Sequence, residues 1–212
     1  MDGRGRMRPR DIERPGCGAF DEHAVAKPLI ARGTGGVCGE RQCPVDGDHA
    51  AHVEKHRRTL EIAEALGAEN IRMFTYYIPE GTEPEGCQGA VIDRLGELLR
   101  YAEGCGIRLC HENEKGIYGD IASRCLKVLT ALPQLYGVFD PANFVQCGQD
   151  TLAAWEMLKD RIFYLHIKDA FFADGRVVPA GCGEGHVPEI LRDYLSRGGT
   201  VMTVEPHLTV FA

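Results

Sequence analysis

The chain has 212 residues, 44% hydrophobic and 26% charged, the balance of a soluble globular protein of one large or two small domains, and no apolar run approaches the roughly 20 residues that span a bilayer. A net charge of −7 argues against a large nucleic-acid footprint, because phosphate binding needs a concentrated basic surface. Nine cysteines without a C-x-x-C pair read as the reduced thiols of a cytoplasmic protein, not as a disulfide frame or a zinc ribbon.

The opening stretch "MDGRGRMRPRDIERPG" carries Arg4, Arg6, Arg8, Arg10 and Arg14 but has no apolar core behind them, so it is not expected to be a secretory signal. Asp2, Asp11 and Glu13 also make it a poor transit peptide. Residues 1–47 read as an irregular or degenerate segment, with weak strand candidates at 27–30 and 36–44. From residue 48 the pattern becomes regular. "HAAHVEKHRRTLEIAEALG" predicts a helix stopped by glycine, and "NIRMFTYYI" a strand ended by Pro79 and Gly81. There follow a helix in "AVIDRLGELLRYAEGCG", a strand in "IRLCHE", a helix in "DIASRCLKVLTAL" and a strand in "LYGVFD". Then come a helix in "DTLAAWEMLKD", a strand in "IFYLHIKD", a helix in "VPEILRDYLSRGG" and a strand in "TVMTVEPHL".

Alternating helices and apolar strands predict a parallel sheet covered by helices. Alternation does not separate an open doubly wound sheet from a (β/α) barrel, but the polar residues favour the barrel. Glu112, Asp140, His166 and Glu205 each lie at the C-terminal end of a predicted strand, the face where barrel sites assemble. No glycine-rich turn follows the first strand, as a dinucleotide-binding sheet would require. The expected fold is therefore an α/β TIM (β/α) barrel over residues 48–212. It is incomplete: five good strands are found where eight are needed, with the early strands and the last helix missing or irregular.

The four strand-end residues stand 28, 26 and 39 residues apart, about one strand–helix unit each, with a longer loop in the last. Neighbouring strands lie about 4.8 Å apart, so side chains from successive ends can converge on one ion. Three carboxylates and one imidazole make a hard donor set suited to Mn²⁺ first, with Mg²⁺, Co²⁺ or Zn²⁺ also accommodated. Taken singly, each residue has a duller explanation: a solvated loop carboxylate, an Asp-Pro turn or helix cap at Asp140, a satisfied core histidine at His166. Four at the same end of consecutive strands are harder to explain separately.

The motifs "ENEKGIYGD", "FDPANFVQCG", "YLHIKDA" and "VEPHL" resemble the strand-end motifs of the sugar phosphate isomerase/epimerase family, the xylose isomerase-like TIM barrels, over roughly residues 45–210. "RTLEIAEALGAENIRMFTYYIPEG" is similar to the mid-barrel helix and strand of that family. The resemblance implies that Glu112, Asp140, His166 and Glu205 are metal ligands. It also implies that Glu112 and Glu205 handle a proton during isomerisation or epimerisation of a sugar or sugar phosphate through an enediolate. The segment before residue 45 departs from the pattern.

Weaker candidates surround this set. Lys168 is either a counter-charge for an oxyanion or phosphate, or a surface lysine. Asp169 or a backbone carbonyl is a candidate to orient the imidazole of His166. "AGCGEGH", residues 180–186, offers backbone amides for a phosphate or is simply a flexible loop. His186 and His207 are candidate substrate contacts. His111 points away from Glu112 and reads as a core residue. His49, His52 and His56 share a helical face, better read as a solvated first turn than as a second metal site. Trp155 is expected between helix and sheet, and one of Tyr76 and Tyr77 at the barrel mouth. The expected partner is a small-molecule sugar, with neither nucleic acid nor membrane, and a homo-oligomer is compatible with the sequence. Two other readings compete. One is an endonuclease-like metal hydrolase, which would need more strand-end histidines and a basic groove. The other is a truncated, inactive family member.

Overall fold

Residue Asp48 starts the described helical layer by accepting a hydrogen bond from the Ala51 N–H (3.1 Å) as N-cap of α1, His49–Leu66. This computed structural model describes residues 44–205. The strand candidate at 27–30, all of 36–44 except Pro44, and His207 lie outside the described residues. Helix α1 buries Val53, His56, Leu60 and Ala63, an i, i+3, i+7, i+10 stripe, and ends at Gly67 in the left-handed region (φ 65°). Strand β1, Asn70–Met73, follows. It is shorter than the expected strand because the chain leaves the sheet after Met73. Farther on, Tyr77 instead bridges Pro44 and Ile117.

Helix α2, Gln88–Ala102, turns Val91, Leu95, Leu98 and Ala102 inward and leads to β2, Arg108–Glu112. Helix α3, Ala122–Ala131, leads to β3, Tyr136–Phe139. Two helices then follow where one was expected. Helix α4, Pro141–Gln146, is capped by the Asp140 side chain at the Asn143 N–H (2.9 Å), and α5, Thr151–Leu158, is capped by Asp150. Strand β4, Ile162–Ile167, is followed by a small antiparallel pair, β5 (Asp169–Ala170) and β6 (Val177–Val178). Helix α6, Val187–Ser196, and strand β7, Met202–Val204, complete the described chain.

The main sheet has the order β1-β2-β3-β4-β7, every neighbouring pair parallel. The pleat sorts its residues by parity. Ile71, Met73, Leu109, Phe139 and Leu165 join the large core under the helices, while Cys110, Val138 and Tyr164 form a separate buried cluster. Burying each such apolar side chain contributes about 1.5–3 kcal/mol. Parity also sends Glu112 and His166 to the face of Cys110 and Tyr164, away from the helices. Trp155 is buried between layers, 5.3 Å from the ring of Phe139, and its indole N–H donates to Asp193 (2.8 Å). Tyr76 is buried against His52, whereas Tyr77 is exposed. No described helix is long and apolar enough to cross a membrane.

Candidate metal centre

Parallel register aligns the strand ends. Glu112 pairs across the ladder with Val138, Phe139 with Leu165, and His166 with Thr203. Asp140 and Glu205 therefore project from the same end as Glu112 and His166. One ligand atom from each of Glu112, Asp140, His166 and Glu205 lies within 4.8 Å of all the others. His166 Nδ1 stands 2.8 Å from Glu112 Oε1, 3.4 Å from Glu205 Oε2 and 3.8 Å from Asp140 Oδ2. That atom is buried and aligned for a hydrogen bond with none of them. Donors on opposite sides of one ion with bonds of about 2.0–2.2 Å would be roughly 4.2 Å apart. The cluster thus has nearly the span of a single coordinated cation.

Charge points the same way. Among the described residues, the carboxylates of Glu112, Asp140 and Glu205 have the cations Arg72 and Lys168 close by. Arg72 Nη1 donates to Glu112 Oε2, and Lys168 Nζ lies 2.8 Å from Asn143 Oδ1 and 3.4 Å from Asp140 Oδ2. Burial opposes charging His166, but Asp140, Glu112 and Glu205 outweigh it and push its pKa up to about 11. His166 in turn holds the Glu205 carboxyl down at about 2, against burial, with Arg72 and Lys168 helping. The three carboxylates favour positive charge between them, a proton on His166 or a divalent ion in its place. The donor set of three carboxylate oxygens and one imidazole nitrogen fits Mn²⁺, Mg²⁺, Co²⁺ or Zn²⁺.

The supporting shell holds residues that sequence reading missed. Arg72 alternates with Ile71 and Met73 in β1, so a charge sits on the face opposite the helix core; that alternation was its signal. Asn113 ties two strand ends together by accepting from the Asp140 N–H (2.9 Å) and donating to the Asp140 carbonyl (3.0 Å). Asn143 donates to the Asn113 carbonyl (2.9 Å) and reaches Glu112 Oε1 and Glu114 Oε2 at 3.4 Å. Its signal was the "DPAN" spacing, which puts it on the first turn of α4.

Other candidates fall elsewhere. Lys168 is buried, not a surface lysine. Asp169 does not orient His166: its carboxylate accepts the backbone N–H groups of Ala170, Gly181, Gly183 and Gly185. His186 is exposed at the N-cap of α6 (φ 53°), and no hydrogen bond or ion pair links it to the cluster. His111 is buried on the helix side, where burial lowers its pKa to about 4. His49, His52 and His56 do not form a solvated turn. They pair separately with Glu97 (3.0 Å), the Tyr76 hydroxyl (3.2 Å) and the Leu98 carbonyl (3.1 Å).

The profile of a family described as xylose isomerase-like TIM barrel matches residues 20–207. The chain belongs to this family. The match covers most of the chain and begins well before the stretch where the motifs are legible. Fructoselysine 3-epimerase of Escherichia coli O157:H7 is 32% identical over 148 residues, 66% of this chain and 52% of that protein. The chain thus spans about half the length of the curated relatives it matches. Among solved structures, a D-tagatose 3-epimerase-like protein superposes with a TM-score of 0.68 at 21% identity, covering 78% of this chain and 67% of that one. The IOLI protein, solved with a binding zinc atom, gives 0.62 at 18% identity, covering 78% and 65%. These two likenesses establish the xylose isomerase-like barrel fold. The five-stranded parallel sheet is a part of such a barrel.

Proposed function

We propose that this chain binds one divalent metal ion, Mn²⁺ by preference, through Glu112, Asp140, His166 and Glu205, and that the site moves a proton at a carbon next to the carbonyl of a sugar, as an epimerase or isomerase. The observation that carries this reading is the convergence of four ligand atoms within 4.8 Å from successive strand ends. Family membership and the names of the relatives, a fructoselysine 3-epimerase and a D-tagatose 3-epimerase-like protein, support the reaction class. A bound ion would supply Lewis-acid polarisation of the sugar carbonyl and its neighbouring hydroxyl. Proton transfer falls to the two glutamates, which come from the outer pair of the four strand ends.

Their environments differ. Glu112 is 1% exposed and held by Arg72, whereas the Glu205 side chain is 22% exposed. Glu205 has the solvent access a base needs to reach a substrate C–H, and Glu112 the fixed position from which to return a proton. Asp140 and His166 hold the metal, and Lys168 and Asn143 hold Asp140. A burial-free surface lysine would not do this.

The test has two separable parts. Calorimetric titration should give one Mn²⁺ per folded chain and lose it in His166→Ala; a folded wild-type chain that binds no Mn²⁺ sinks the metal site. With a sugar that reacts, Glu205→Gln should slow solvent-deuterium incorporation at the reacting carbon by about 10²–10⁴-fold, the usual contribution of a positioned base. Exchange at the wild-type rate in that variant would remove Glu205 from the mechanism and leave the metal site standing.

A further inference from the structure

The glycine-rich stretch after β6 has the composition of a phosphate loop, yet its amides are already engaged. The N–H groups of Gly181 and Gly183 donate to Asp169 Oδ2 (2.9 and 3.0 Å), and those of Gly185 and Ala170 to Oδ1 (2.8 and 2.9 Å). The Cys182 N–H donates to the Pro179 carbonyl and the Glu184 N–H to the Ala170 carbonyl, both at 2.9 Å. Every amide from residue 181 to 185 therefore has an acceptor within the chain. Asp169 is buried, 1% exposed.

The glycines are shaped around that carboxylate. A Cβ on Gly183 would lie 2.5 Å from Asp169 Oδ1 and 2.6 Å from the Ala170 carbonyl. One on Gly185 would lie 2.7 Å from Asp169 Oδ1 and 3.0 Å from Pro141 Cβ. The second contact places the loop against the residue that follows Asp140. Converging backbone N–H groups form an anion-binding concavity. Here the anion belongs to the protein.

We propose that Asp169 is a built-in anion that fills this concavity, fixes the loop beside the Asp140 side of the metal centre and excludes phosphate from it, so that the sugar handled there carries no phosphate at the end that meets the loop. The substrate statement rests on the sugar reading above; the loop statement does not. A phosphate brings a charge of about −1.5 to −2 and would meet occupied donors and a like charge.

The deciding measurement uses metal-free protein and inorganic phosphate, with the amide resonances of Gly181, Gly183 and Gly185 followed by NMR. In the wild type these should show no saturable shift. In Asp169→Ala, phosphate should shift them saturably and raise the melting temperature. Saturable shifts in the wild type overturn the proposal, as does a folded Asp169→Ala whose loop amides ignore phosphate. If that variant does not fold, the wild-type titration still decides. For the substrate class, the Mn²⁺-loaded chain should bind D-fructose at least about tenfold more tightly than D-fructose 6-phosphate, the like charge setting the difference. Tighter binding of the ester overturns the exclusion. Binding of neither sugar counts against the sugar reading, while the phosphate titration still judges the loop.

Discussion

Arg72 is the residue on which the two faces of Glu112 depend. One carboxylate oxygen of Glu112 meets Arg72 and the other lies 2.8 Å from His166 Nδ1. Removing one partner of a buried ion pair costs about 3–5 kcal/mol, because a desolvated charge is left behind. Arg72 is 23% exposed, so solvent softens the loss. Arg72→Met should destabilise the metal-free protein by about 2 kcal/mol, measured by urea unfolding. Saturating Mn²⁺ should shrink that deficit, since the ion supplies the missing positive charge. An equal deficit with and without Mn²⁺ would mean that Arg72 acts by packing, including its contact 4.8 Å above the Phe74 ring. The four cluster residues were legible because charge at the end of an apolar strand is conspicuous. Arg72 and Asn143 carried only weak local signals, and Asn113 none, since what gives all three their role is a partner distant in sequence.

Helix α1 shows how an element can be read correctly in outline and wrongly in surroundings. Its apolar stripe and glycine stop were visible, but its histidines looked solvated. Packing against α2 buries His56, whose Nε2–H donates to the Leu98 carbonyl, and burial lowers its pKa from the model-peptide value of 6.5. His52 is lowered in the same way, to about 4, with His49 contributing. A histidine whose folded pKa is depressed takes its proton first in the unfolded chain. Stability is therefore intact above about pH 6.5 and falls as the pH drops towards 4. His56→Gln keeps an N–H donor but does not titrate. Its unfolding free energy should fall less between pH 7 and pH 5 than that of the wild type; identical slopes would exclude His56 as a source. Helix α4 escaped notice for another reason. With six residues it is too short for a periodic signal, and only the Asp-Pro start, a cap followed by proline at the first helical position, announces it.

At the scale of the whole molecule, the cluster exists only when four parallel strands hold their register. The proposed ligand set comes from strands that separate on unfolding, so metal binding there would be tied to folding. Mn²⁺ at about 100 times its dissociation constant should add roughly 2.7 kcal/mol of stability, and chelation should remove it. His166→Asn should unfold at the same point with and without Mn²⁺. A wild-type melting temperature unmoved by Mn²⁺ at concentrations where the ion is bound would show that binding does not require the native sheet.

Residue order alone was enough for the alternating helices and strands, the membership of a barrel family and the four side chains at the strand ends. The elements and the strand-end side chains follow from local rules, side-chain period along an element and polar residues where a buried strand meets solvent; the family follows from the resemblance of the strand-end motifs. The fate of Asp169 and the glycine loop, the Arg72–Glu112 pair, the burial of Lys168 and the separate partners of the three α1 histidines could not be obtained that way. Each depends on which groups meet across strands and layers, and the desolvation and pairing that set their chemistry arise only after the chain has brought distant residues together.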